Sequence, residues 1–239
     1  MKRMIFLYIL FLNFLFMNSY NLNRKIVSSL IGVSILFPNN LLTHSSEFLV
    51  PVAQAASYEQ SYVQTSNNKV YLYGGLSQQS SKALKDALNE VIEQSLLFES
   101  KFKTKSPPIH LHIQSEGGSL LHTLYIVDII KHSPVPIYTH VDGFAASAAT
   151  LLSVVGHKRY MSENSLMLIH QLSSGSKGKY NELADDMDNY NTLMDKIKNI
   201  YYKHTNIKSV DLEELLKHDL WLDSKKCLEY GLVDEITTD

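Results

Sequence analysis

From Val70 onward the apolar positions switch repeatedly between a period of two and a period of three to four, and glycine or proline marks most of the switches. Val70-Tyr71-Leu72-Tyr73 is rich in strand formers and stops at Gly74-Gly75. Leu84, Ala87, Leu88, Val91 and Ile92 then recur at helical spacing behind Ser80 or Ser81, either of which can cap the helix. The polar stretch Lys101 to Pro108 reads as a loop, and the lead from Ser57 to Asn68 as irregular chain. Ile109, Leu111 and Ile113 alternate as a strand closed by Gly117-Gly118, and Leu120, Leu121, Leu124, Val127 and Ile130 mark a second helix. Pro134 and Pro136 end it ahead of a strand from Pro136 to Val141. Gly143 and a run of small residues lead into an apolar helix through Leu152, ended by Gly156. Strands are expected at Lys158 to Met161 and Leu166 to His170. Strand, tight glycine turn, helix, strand in succession predicts an α/β fold, a sheet with helices packed on it. Functional atoms in such folds gather where a strand's carboxyl end meets the next turn.

Tyr180 to His204 reads as one long helix, because Leu183, Met187, Tyr190, Met194, Ile197 and Tyr201 follow a heptad seam. At the α-helical rise it would reach roughly 37 Å, more than a small domain needs to cover its own core. The seam is therefore expected to meet a partner copy.

The first 55 residues follow a different pattern. Lys2 and Arg3 precede an almost wholly apolar run from Met4 to Met17, which fits a signal-peptide core and falls short of the ~20 residues needed to span a bilayer. A second apolar run, Ile26 to Phe37, follows Asn23-Arg24-Lys25, and Ala53-Gln54-Ala55 resembles a processing site. The expected organisation is a bipartite targeting presequence over 1–55 and one domain over 56–239. Presequences of this kind occur on nuclear-encoded proteins sent to plastids bounded by extra membranes, so the expected location after its removal is the plastid stroma. Export, or an uncleaved membrane anchor, is the alternative.

Composition narrows the function classes. With 22 basic and 24 acidic residues the net charge is −2, so the body has no basic footprint for nucleic acid or an anionic membrane. The single cysteine, Cys227, cannot form an internal disulfide and falls in a stretch, Ser224 to Tyr230, that reads as a helix. Among ten histidines, His110 and His112 share one face of a strand but have no third ligand in view, so no metal is expected.

Acyl transfer needs a hydroxyl nucleophile, an imidazole base, a carboxylate to fix its tautomer, and backbone donors for the oxyanion. Ser147 opens a helix among small residues, where a peptide backbone could approach closely, although a serine there can simply be a cap. His170 ends an apolar strand, where it could equally be a core residue. Gly117-Gly118 offers a backbone free of Cβ atoms at a helix start, an anion cradle or only a tight turn. Asp219 has rivals in Asp211, Asp223 and Asp234.

Four blocks join these residues: Ser115-Glu116-Gly117-Gly118-Ser119, Gly143-Phe144-Ala145-Ala146-Ser147-Ala148-Ala149, Leu168-Ile169-His170-Gln171, and His218-Asp219-Leu220-Trp221-Leu222 through Glu229 to Ile236. In order and spacing they resemble the signature blocks of Clp protease proteolytic subunits, over about Val70 to Ile236. The resemblance implies repeated ββα units of the Clp and crotonase type with a protruding handle helix. It implies Ser147 as nucleophile, His170 as base, Asp219 as orienting carboxylate, and the N–H groups of Gly118 and Ala148 as oxyanion donors. Gly117 and the segment Ser173 to Gly178, with Gly175 and Gly178, would line the bound peptide.

It further implies stacked heptameric rings of self or paralogous subunits, unfolded polypeptide substrates, and an AAA+ unfoldase that uses the ATP, leaving this chain without a cofactor. Glu116 and Leu172 stand where the family has proline, the loop Phe98 to Pro108 is longer, and the family's axial segment is not recognisable in Ala56 to Lys69. The alternatives are a non-catalytic ring subunit, which loss of a triad residue would mark, and a crotonase-fold acyl-CoA enzyme, which has no such triad. The order Ser, His, Asp and the lack of a G-x-S-x-G elbow set the chain apart from α/β-hydrolases.

Overall fold

A computed structural model of the chain describes residues 61–238. The expected presequence, its processing site and the first residues of the expected domain lie outside the described residues.

The first two strands, β1 (Tyr62–Ser66) and β2 (Lys69–Tyr73), form an antiparallel hairpin about Asn67-Asn68, with Asn67 at φ 55°. The first is a correction to the irregular lead. Four of its five residues are exposed, so no buried face imposes the alternation by which a strand is read. Helix α1 (Gln78–Phe102) buries Leu84, Ala87, Leu88 and Val91 as their spacing predicts. Its cap is Ser77 and not Ser80 or Ser81, because Ser80 serves as the reciprocal partner in a capping box. The helix also runs to Phe102, into the expected loop, where no glycine or proline stops it before Lys103 turns left-handed at φ 55°.

The remaining elements are β3 (Ile109–Ser115), α2 (Leu120–Lys131), β4 (Ile137–Ala146), α3 (Ala148–Val154), β5 (Lys158–Ser162), β6 (Leu166–Leu168), α4 (Tyr180–His204), α5 (Ser209–Leu215), β7 (Trp221–Asp223), α6 (Ser224–Glu229) and β8 (Glu235–Thr237). Among the described residues these strands make one eight-stranded sheet, ordered β1-β2-β3-β4-β5-β8, with β6 between β4 and β7. Pairings from β2 to β8 along that path are parallel, as successive crossover units require. Strand β4 forks: Tyr138–Val141 pairs with β5 and, past Gly143 at φ 87°, Phe144–Ala146 pairs with β6. The strand is thus longer than the expected Pro136–Val141, and its far half carries the chain to Ser147.

Helix α4 divides along its length. Tyr180, Leu183 and Met187 are exposed, Met194 packs against the core, and Ile197 and Tyr201 are buried. The seam expected to face a partner is therefore covered by the chain's own core in its second half. Cys227 is fully buried and burial pushes its thiol up to about 12, which leaves it an inert packing residue.

One face of the sheet carries a stack of rings. Tyr71 lies 4.8 Å from His112, His112 4.6 Å from His140, and His140 4.7 Å from Tyr160, centroid to centroid. His110 Nδ1 pairs with His140 Nε2 at 2.8 Å and His112 Nδ1 with Asp142 Oδ2 at 2.7 Å, while His112 Nε2 is buried with no partner among the described residues. His140 and Asp142 thus join His110 and His112, which the sequence does not reveal, yet no group of three such side chains among the described residues is arranged to hold a metal ion. Burial, then the neighbouring His112 and His110, push His140 down to about 4, and burial lowers His110 as well. A histidine depressed in the folded state is charged first in the unfolded one, so stability falls as pH drops from 6.5 towards 4. Discounted for solvent access, His140 accounts for roughly 1–2 kcal/mol of that loss. Thermal melts of His140→Phe should show a flatter acid side than the parent. An unchanged slope would place the acid sensitivity elsewhere.

Candidate active site

Ser147 sits in the turn between β4 and α3 with φ 55° and ψ −129°, a conformation that residues other than glycine seldom adopt. Holding it there stores about 1–3 kcal/mol of strain, which the surroundings must over-determine. Its N–H donates to the Leu168 carbonyl at 2.8 Å, while its hydroxyl makes no cap hydrogen bond to α3. The cap reading of Ser147 therefore has no geometric support. Ala145, Ala146, Ala148 and Ala149 around it are all buried.

The Gly117 turn packs directly on this turn. A Cβ at Gly117 would stand 2.6 Å from the Ala146 carbonyl oxygen and 2.8 Å from both the Ala148 nitrogen and Ser147 Cβ, with φ at 89°. Neither atom set can move aside, since both belong to backbone or to the serine itself. At Gly118, φ is 145° and a Cβ would fall 2.3 Å from the Leu76 carbonyl oxygen. Two glycines are needed here for close approach, beyond making a turn.

Ser147, His170, Gly117, Gly118 and Ala148 line one cavity of about 310 Å³. Strand β6 ends at Leu168, two residues short of the expected strand end, and beyond it Ile169 is buried while the His170 side chain, 23% exposed, lines the cavity. Leu120, Leu151, Ile197 and Tyr201 give the cavity an apolar side suited to a substrate side chain. Tyr201 is a lining residue that sequence reasoning assigned to a partner-facing seam; its signal was the heptad spacing, which cannot tell an outer contact from an inner one.

Asp219 is outside the cavity lining, but its Oδ1 lies 3.7 Å from His170 Nδ1, a charge contact longer than a hydrogen bond. Two of its rivals have other partners and the third sits on a different helix. Asp223 caps α6 by accepting from the Lys226 N–H at 2.7 Å, Asp234 forms a paired contact with Arg159, and Asp211 lies in the first turn of α5.

The Gly117 N–H donates to Ser115 Oγ at 3.1 Å, whereas the N–H groups of Gly118 and Ala148 have no acceptor among the described residues. These two are thus free to receive an anionic oxygen from outside. Gly175 and Gly178 stand apart, in an exposed irregular segment that ends at α4, and they do not line the cavity. No strand pairs with that segment among the described residues. A free hydroxyl, an imidazole, a nearby carboxylate and two open amides are the parts that acyl transfer uses.

The family model described as Clp protease matches residues 66–239. The chain is 32% identical over 154 residues to "ATP-dependent Clp protease proteolytic subunit 2" of Treponema denticola, covering 64% of this chain and 76% of that protein. It is 29% identical over 150 residues to "ATP-dependent Clp protease proteolytic subunit" of Deinococcus radiodurans, 62% of this chain and 72% of that protein. To "ATP-dependent Clp protease proteolytic subunit 1" of Rhodopirellula baltica it is 31% identical over 150 residues, 62% of this chain and 65% of that protein.

Proposed function

The chain belongs to the Clp protease family, and from that premise we propose that it is a proteolytic subunit in which Ser147, His170 and Asp219 hydrolyse peptide bonds. The observation that carries this reading is the uncommitted, conformationally strained Ser147 hydroxyl sharing a cavity with His170 and two open backbone amides. Ser147 Oγ attacks the scissile carbonyl while His170 Nε2 takes its proton; Nδ1–H of the same ring points to Asp219, which stabilises the imidazolium. The developing oxyanion receives the Gly118 and Ala148 N–H groups. His170 returns the proton to the leaving amine, and water then releases the acyl group by the same steps. All three side chains of the triad are present, which disfavours a silent ring subunit. A crotonase-type acyl-CoA enzyme would leave Ser147 and His170 without a role.

Assembly into stacked rings belongs to the same proposal, as does an unfoldase partner that uses the ATP. The exposed half of α4 supports it: Tyr180 is 85%, Met187 58% and Leu183 41% exposed, an apolar stripe with no cover of its own. Residues 173–178 would then pair with an extended substrate once neighbouring subunits order them.

The purified protein should take an active-site-directed fluorophosphonate at Ser147 and cleave a fluorogenic peptide within a ring-sized particle. Failure to label or cleave in an assembled particle would return the silent-subunit reading. Leu183→Glu combined with Met187→Glu would bury unpaired charges in the proposed contact, at several kcal/mol each. Analytical ultracentrifugation should show single rings or smaller species, with peptidase activity falling in step. A particle of parental mass would assign the stripe to something other than assembly.

A further inference from the structure

The strained turn at Ser147 is held from one side by the Leu168 carbonyl; what holds it from the other is a buried chain of two hydroxyls. Thr150, the third residue of α3, sends its Oγ1 to the Ser147 carbonyl at 2.5 Å, and its N–H reaches the same oxygen at 3.1 Å. The Thr150 hydroxyl proton is therefore committed. Its oxygen lies 2.5 Å from the Tyr201 hydroxyl, and with the threonine proton already given away, the phenol must be the donor. Both residues are almost wholly enclosed, Thr150 at 0% and Tyr201 at 2% exposure, although part of Tyr201 borders the cavity. Burial also pushes the Tyr201 phenol upward, which keeps its proton in place. The direction of the chain is fixed: Tyr201 to Thr150 to the Ser147 carbonyl.

That carbonyl and the Ala148 N–H belong to one planar, trans peptide unit and point opposite ways. Fixing the carbonyl therefore aims the N–H. At φ 55° the Ser147 backbone would relax if unrestrained, rotating this plane and moving the amide away from where an oxyanion forms. The anchor of the chain, Tyr201, lies on α4, the helix whose far half is exposed.

We propose that Thr150 and Tyr201 are positioning residues that lock the Ser147–Ala148 peptide plane, so that the buried end of α4 sets the aim of the Ala148 oxyanion donor. The inference rests on the serine-peptidase reading above. It assigns neither hydroxyl contact with the reacting atoms, although the Tyr201 ring borders the cavity. Their effect is expected in kcat, because a misaimed donor is felt when charge develops and not when substrate binds.

The test uses Thr150→Val, Thr150→Ser, Tyr201→Phe and the Thr150→Val/Tyr201→Phe pair in the full chain, with Tyr202→Phe as control. Tyr202 neighbours Tyr201 but is exposed, its hydroxyl 3.3 Å from Ser209 Oγ. Particle mass is checked first, then kcat and KM on a fluorogenic peptide and the rate of fluorophosphonate labelling. Thr150→Val should lower kcat and labelling by ten- to a hundredfold, on the order of the loss from a 1 Å misplacement, with KM within about twofold. Thr150→Ser, which keeps the hydroxyl, should stand near the parent. Tyr201→Phe should lower kcat about tenfold, and the pair should be no worse than Thr150→Val alone, since both act through one oxygen.

Should Thr150→Val fail to assemble, Tyr201→Phe in intact particles decides alone. A parental kcat for Tyr201→Phe, a Thr150→Ser variant as slow as Thr150→Val, or losses that multiply in the pair would each overturn the inference. A parent inactive in intact particles, or Ser147→Ala still cleaving, would instead overturn the reading on which it rests.

Discussion

Ser147→Ala should fold and assemble like the parent while losing about 10⁶ in kcat, the loss seen when the nucleophile of a template serine peptidase is removed. The structure sharpens the contrast with a structural serine. A helix-capping serine loses about 1 kcal/mol of stability on truncation, but this hydroxyl caps nothing, so removing it should shift stability by less than about 0.5 kcal/mol. The backbone strain at φ 55° is common to serine and alanine and cancels from the comparison. Total loss of activity with an unchanged melting temperature is the expected pair of results. Parental cleavage by assembled Ser147→Ala protein would remove Ser147 from the chemistry. A large fall in melting temperature would show the hydroxyl to be holding the turn.

The fold was legible wherever burial has a direction. Strand β3 alternates buried and half-buried residues without a break, and α1 buries its apolar face as spaced, because each packs one side against the same core. Legibility failed where packing gives no such asymmetry. The edge strand β1 buries none of its residues fully, and three-residue strands such as β7 and β8 are too short to show a period. The end of α1 differs from its expected place because Leu96 to Phe102, apolar and polar alike, are largely exposed and so show no buried face by which a helix is read. In α4 the periodicity was right and its partner was wrong for half the length. A heptad seam records that one side of a helix is apolar, and Ile197 and Tyr201 are covered by the chain's own core.

The site was legible as a set of blocks and not as a geometry. Nothing in Gly143 to Thr150 announces that Ser147 takes a positive φ, since that is imposed by the Leu168 hydrogen bond and by the Gly117 turn pressing from a distant part of the chain. The same holds for Thr150, which reads as one more small residue of an apolar helix until Tyr201, 51 positions on, meets its hydroxyl. The choice among aspartates was open because composition cannot tell a free carboxylate from a committed one. Three-dimensional placement gives Asp223 and Asp234 other partners and puts Asp219 beside His170, whereas Asp211 is told apart only by its place on α5.

Asp219→Asn should leave the particle intact and lower kcat by a factor on the order of 10⁴, the effect of holding the histidine in the wrong tautomer in a template triad. The prediction is demanding because Asp219 is 80% exposed and stands 3.7 Å from His170 Nδ1, beyond hydrogen-bond reach. A carboxylate so loosely held can orient the ring only if the contact tightens when substrate fills the cavity, as catalytic hydrogen bonds commonly do. Asp223→Asn is the matched control, since asparagine caps a helix about as well as aspartate and the α6 N-terminus should survive the change. Near-parental kcat for Asp223→Asn beside a deep loss for Asp219→Asn supports the assignment. The reverse ranking in assembled protein would transfer the orienting role to Asp223. A loss of only about tenfold at Asp219 would mean that the carboxylate merely stabilises the imidazolium across the gap, with the tautomer set by some other contact to the ring.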